Sequence, residues 1–110
     1  MSVNTKMQGD TLTAYLSGEI DHHCAGVLRD AVDEAVLRNK PKVLCLDFAQ
    51  VSFMDSSGIG LVMGRYRTVS ACGGSLRLVN LSERELKIMR MSGIQKIAVV
   101  EGGESCAKRG

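Results

Sequence analysis

Apolar and polar positions along the chain follow two periods, and the switches between them mark out the elements. In Thr11 to Ser17, TLTAYLS, Leu12, Ala14 and Leu16 alternate with Thr13, Tyr15 and Ser17, the two-residue period of a half-buried strand. Val3 to Met7 precedes it across the turn-forming Gly9-Asp10, so the first two strands form an antiparallel hairpin. Gly18 to Asp21 closes the second strand, and the period then becomes helical. Ala25, Leu28, Val32, Ala35 and Val36 share one face, with Arg29, Asp30, Asp33 and Arg38 elsewhere. The spacing predicts a helix from His22 to about Asn39, with Asp21 as its N-cap and Lys40-Pro41 as its stop.

Lys42 to Phe48, KVLCLDF, is a continuous β-branched and apolar run that predicts a strand buried on both faces. Ile59, Val62, Met63, Tyr66 and Val69 define a second amphipathic helix, ended by Gly73-Gly74, and Ser75 to Val79 gives the next strand. Ser82-Glu83-Arg84-Glu85 is a capping box opening a third helix through about Arg90, with Leu86 and Met89 inward and Gly93 as its stop. Ile97 to Val100 is a last short strand, and Glu101 to Gly110 reads as a frayed tail. The order β-β-α-β-α-β-α-β predicts the α/β class: a mixed, mostly parallel sheet with helices packed against it. At 110 residues the chain matches one compact domain.

Charge narrows the function. Lys and Arg number 14 against 12 Asp and Glu, a dispersed net charge of +2, which gives no electrostatic footprint for nucleic acid. No apolar run approaches the roughly 18 residues of a membrane span, so a soluble, cytoplasmic protein is expected. Cys24, Cys45, Cys72 and Cys106 form no CxxC pair and are read as small hydrophobes in a reducing compartment. His22, His23 and Cys24 are adjacent and cannot all point at one ion, so neither a metal nor a cofactor is expected.

The chemistry concentrates in Asp55 to Gly60, DSSGIG, between the third strand and the second helix. A P-loop fails, because no Lys follows Gly58, Gly60 or Gly64. A dinucleotide fingerprint is one residue out of spacing, and a GxSxG nucleophile elbow fails because Met54 stands where its first glycine belongs. A Ser-His-Asp triad would have to recruit His22 or His23, which nothing in the pattern asks for. What remains is a serine at a helix start, where unpaired amides and the helix dipole favour an anion, so phosphorylation there need not unfold the chain. The plain alternative is that one serine caps the helix and the glycines permit a tight turn and close packing. One serine suffices as a cap, which leaves the other free.

Leu16 to His23 (LSGEIDHH), Val51 to Tyr66 (VSFMDSSGIGLVMGRY) and Met91 to Ile94 resemble the STAS-domain family, specifically its anti-sigma-factor antagonists of the sporulation type. The resemblance covers about Met7 to Val100. The DSSG turn with Gly60, Gly64 and Arg65-Tyr66 is specific in combination, and Asp21-His22-His23 narrows it to the sporulation branch. The family's mixed sheet flanked by helices agrees with the order read above. The resemblance implies a partner-switching module that is not an enzyme. Its unphosphorylated form binds an anti-sigma factor that is also a serine kinase, releasing the sigma factor. ATP-dependent phosphorylation of Ser56 switches binding off, and a serine phosphatase restores it. Ser57 is implied to belong to the helix start. Asp21, Asp55, Ser56, Ser57, Gly58 and Gly60 are implied to form the partner-binding face, with Gly58 and Gly60 letting a partner backbone come close. Relatives often continue into a longer C-terminal helix, and this chain ends soon after its last strand. Two other readings stay open: a nucleotide-binding domain using the Ser56 turn as a phosphate site, and a STAS module of a stress-response partner-switching system.

Overall fold

The Gly9-Asp10 turn, with Gly9 at φ 58°, pairs β1 (Ser2–Gln8) antiparallel with β2 (Thr11–Ile20) in the computed structural model, which describes residues 2–103. There follow α1 (Ala25–Asn39), β3 (Val43–Met54), α2 (Ser57–Ala71), β4 (Ser75–Leu81), α3 (Glu83–Ser92), a short 3₁₀ turn (Ile94–Lys96) and β5 (Val99–Gly102). The sheet runs β1-β2-β3-β4-β5, with every pair after the first parallel.

Three consecutive crossovers join neighbouring parallel strands, and the right-handed rule for such connections predicts three helices on the same side. The burial pattern agrees. Alternate strand residues Leu12, Ala14, Leu16, Leu44, Leu46, Phe48, Leu76 and Leu78 join Leu28, Val32, Leu61, Val62, Val69, Leu86 and Met89 of the helices in one core. The expectation that β3 is buried on both faces is therefore corrected. Its second face carries half-buried Val43 and Asp47 beside Cys45, which is 8% exposed, and none of the three joins the core cluster. A continuous apolar run is ambiguous on this point, because Cys45 and Val43 read as core whichever way they face.

Several boundaries move for local reasons. The third helix has its capping box: Glu85 N–H donates to Ser82 Oγ at 3.1 Å and Ser82 N–H to Glu85 Oε1 at 2.9 Å, while Gly93 takes the left-handed stop at φ 80°. The first helix begins at Ala25 and not at His22, since Asp21 organises an intervening turn. The second begins at Ser57, two residues before its first apolar marker. β5 extends through Gly102, paired with Leu81, so Glu101 and Gly102 belong to the sheet, where Glu101 Oε1 accepts from Arg77 Nη2 at 2.6 Å. The rest of the expected tail, and Cys106, lie outside the described residues apart from Gly103.

The two glycines that end α2 differ in kind. Gly73 has φ 81° with open space around the position of a Cβ, whereas a Cβ on Gly74 would stand 2.6 Å from the Pro41 carbonyl oxygen and 2.7 Å from Val69 Cγ2. Gly73→Ala should lose about 1 kcal/mol through left-handed strain, and Gly74→Ala about 2–3 kcal/mol because backbone must shift. Urea unfolding of both variants checks the order; equal losses would show that the α2–β4 turn yields easily.

Candidate functional site: the paired turns after β2 and β3

The ladder between β3 and β4 ends at Asp47 and Val79, but β2 and β3 continue together past two register shifts to Ile20 opposite Met54. Gly18, at φ 88°, sits at the second shift, where a glycine relieves the local bend. This two-stranded extension brings the β2–α1 and β3–α2 turns side by side, locked by the Asp55 N–H to Ile20 carbonyl bond at 3.3 Å. Asp21 and Asp55 thus become neighbours although they are far apart in sequence.

Each carboxylate is folded onto its own turn. Asp21 Oδ1 accepts from His23 N at 2.9 Å and Cys24 N at 3.0 Å, and its carbonyl accepts from Ala25 N at 3.0 Å. The predicted capping role of Asp21 is present, but it serves the turn 22–24 ahead of α1. Asp55 Oδ1 accepts from Ser57 N at 2.8 Å and also from the Ser57 hydroxyl. Its carbonyl accepts from Gly58 N at 3.0 Å. The expectation that a serine caps α2 is corrected, because the side-chain acceptor is Asp55. Ser57 is tied to that carboxylate, as its assignment to the helix start implied. Ser56 stands at the N-cap position, exposed, and no hydrogen bond of its hydroxyl occurs among the described residues.

These bonds set the electrostatics. The Ser57 hydroxyl and then its amide hold the Asp55 carboxyl below the usual carboxylate range, against the neighbouring charge of Asp21. The Cys24 amide, followed by its thiol, does the same for Asp21, and Asp21 in turn pushes the Cys24 thiol up. Two ionised carboxylates therefore flank Ser56, and Cys24 is held away from the reactive thiolate form. The first amides of α2 are already engaged, with Ile59 N bonded to the Ser56 carbonyl at 3.1 Å.

The two glycines divide. Gly60 is exposed with nothing within 4 Å of a Cβ position, whereas Gly58 is buried and a Cβ there would come 2.6 Å from Met54 Sδ. Gly58 seats α2 on β3, which corrects its placement on a partner-facing surface. Two features went unread in the sequence. Phe53, 40% exposed, lies under the Arg84 guanidinium at 5.4 Å beside the turn. Arg65 is buried with its Nε 2.7 Å from Asp33 Oδ1 on α1. The spacing Gly58, Leu61, Arg65, Val69 places that arginine on the inward face, a signal available from the letters alone.

A STAS domain family model matches residues 2–104, and the chain belongs to that family. Proteins similar to it include antagonists of anti-sigma factors. The chain is 34% identical over 93 residues to the anti-sigma F factor antagonist of Paenibacillus polymyxa, covering 84% of this chain and 80% of that one. It is 35% identical over 107 residues to the anti-sigma-B factor antagonist of Bacillus subtilis (strain 168), covering 94% and 96%. Among solved structures it resembles the Bacillus cell fate determinant SpoIIAA at 31% identity. The TM-score is 0.76 to the unphosphorylated form, covering 98% of this chain and 95% of that one, and 0.70 to the phosphorylated form, covering 98% of each.

A group whose folded-state pKa is depressed stabilises the fold above its unfolded value and loses that contribution as pH falls through the folded one. Asp21 and Asp55 should therefore add acid sensitivity only below about pH 4. Ser57→Ala should move the Asp55 midpoint upward and leave that of Asp21 nearly in place, as read by carboxyl-detected NMR titration. An unmoved Asp55 would show that the hydroxyl does not hold it.

Proposed function

We propose that the chain is an anti-sigma factor antagonist whose unphosphorylated form binds an anti-sigma factor that is also a serine kinase, and that phosphorylation of Ser56 ends the complex. The observation that carries this is the position of Ser56: exposed, on the turn between β3 and α2, with its hydroxyl outside the Asp55 network that engages Ser57. The kinase would transfer the γ-phosphoryl group of ATP to Ser56 Oγ, the hydroxyl losing its proton and ADP leaving. A serine phosphatase would hydrolyse the ester. The chain itself would act by binding. Asp21, Asp55, Ser57 and Gly60 complete the docking face.

The charges indicate how the switch works. A phosphoserine brings about −1.5 to −2 near neutral pH. Because the first α2 amides are engaged, that charge gains the helix dipole but few free donors, and it meets two carboxylates. The phosphate stays outward and is resolvated in the free protein, whereas in the complex it is buried against an interface fitted to a hydroxyl. A loss of about 3 kcal/mol there weakens binding on the order of a hundredfold. The phosphorylated form of SpoIIAA keeps a fold that this chain matches, which supports a switch acting at the interface.

Similarity to an anti-sigma-B factor antagonist over nearly the whole chain favours a second reading, the same switch serving a stress-response partner. Asp21-His22-His23 favours the sporulation type, and measuring which class of anti-sigma factor binds more tightly decides between them.

Incubation with the cognate kinase and ATP should add one phosphate, mapped by mass spectrometry to Ser56; a phosphate on Ser57 would sink the assignment. Ser56→Asp should unfold within about 0.5 kcal/mol of wild type yet bind the kinase at least about tenfold more weakly. Ser56→Ala should bind and resist switching. Normal binding by Ser56→Asp together with a collapsed melting temperature would contradict the interface account.

A further inference from the structure

Between the outer flanks of α1 and α2 lies a groove of about 310 Å³ that begins at Ser57. Its walls are short: Ala25 and Gly26 come from α1, and Gly60 and Gly64 from α2. Nothing stands within 4 Å of a Cβ position at Gly60 or Gly64, so the space exists because those side chains are missing. The charged residues lining it are Arg29 and Arg65. Arg29 lies across Gly26, with Nη2 3.8 Å from where a Cβ would be, and its Nε pairs with Asp30 at 3.1 Å.

Arg65 is the second, independent observation. It is 5% exposed, and its Nε approaches Asp33 Oδ1 at 2.7 Å without the alignment of a hydrogen bond, while Nη1 has no partner. A guanidinium offers five donors in a rigid fork, and a buried one is ordinarily met by acceptors along its edges. Here Arg65 lines the groove while its Nη1, shut off from solvent, has no acceptor.

We infer that the α1–α2 groove receives a carboxylate side chain of the kinase partner, held between Arg29 and Arg65, with the partner backbone lying against Gly60 and Gly64. This rests on the proposed function and adds to it a second contact that does not depend on Ser56. Charge complementarity and continuity with the docking face support a protein carboxylate as the occupant. The Ser56 turn is acidic through Asp21 and Asp55, whereas the adjoining groove is basic, so a partner must present the opposite order of charges along one line. Such alternation fixes register and excludes partners with the wrong order. A groove at the lower end of ligand-pocket size takes one or two side chains and not a whole helix.

The test measures the dissociation constant of the unphosphorylated chain for its purified kinase anti-sigma factor, alongside urea unfolding. Gly64→Leu fills the groove from an open position and improves helix propensity, and Arg29→Glu reverses an exposed wall, so both variants should fold as wild type. Each should weaken binding at least about tenfold, and Arg29→Glu should recover when one acidic residue of the kinase is changed to arginine. Both variants binding within about twofold of wild type would overturn the inference and leave the proposed function standing. Weakening by Gly64→Leu alone would overturn the carboxylate and point to a neutral segment. Failure of the wild-type chain to bind any such kinase would overturn the proposed function itself.

Discussion

The pairing of Ile20 with Met54 is the constraint on which the site depends. Without the extension of β2 and β3 beyond the rest of the sheet, their following turns would be separate loops. With it, two carboxylates are brought together, each raising the cost of the other's charge, and each must be satisfied. The solution is local: Asp21 folds onto the amides of His23 and Cys24, and Asp55 onto Ser57. Both turns are thereby tied to their own carboxylates, and the Ser56 hydroxyl is left outside those bonds. A serine that capped its own helix would have a hydroxyl already committed; here the neighbouring aspartate does the capping and the hydroxyl faces solvent.

The same arrangement explains why added charge would act on a complex and not on the fold. The amides that might have gathered a phosphate are in use, so phosphate and protein gain little from each other, and the surface becomes more acidic at one spot. Behind that spot, Arg65 and Asp33 join α2 to α1 through a largely buried pair, with burial pulling the guanidinium down and Asp33 holding it up. The joint ties the two helices together, as the proposed docking face of two turns and a groove would require.

Much of this was legible in the letters because local chemistry decided it. The Gly9-Asp10 hairpin, the inward stripe of α1 and the Ser82–Glu85 capping box each depend on residues close in sequence. Where the outcome turned on distant neighbours, the reading failed. Ala49, Gln50 and Ser52 are polar or small and exposed, so nothing in them announces that β3 runs on to Met54; that follows from β2 lying alongside. Gly58 looked like surface because glycine has no side chain to show which way it faces, and Met54 decides the matter. Asp55 was overlooked as the cap because two serines follow it, and its lead over them comes from the charged acceptor's stronger hydrogen bond. Arg65 sat on the inward helical stripe, but a charged residue there is passed over unless its partner on another helix is known.

The account's central claim is that charge at Ser56 leaves the fold intact and acts where a partner would sit. Amide hydrogen exchange, compared between the chain before and after stoichiometric phosphorylation of Ser56, tests it most directly. The account predicts changed protection confined to the β2–α1 and β3–α2 turns and the first turn of α2, with the amides of β3, β4 and α3 unchanged. Loss of protection spreading through β4 and α3 would contradict it and make the switch a change of conformation.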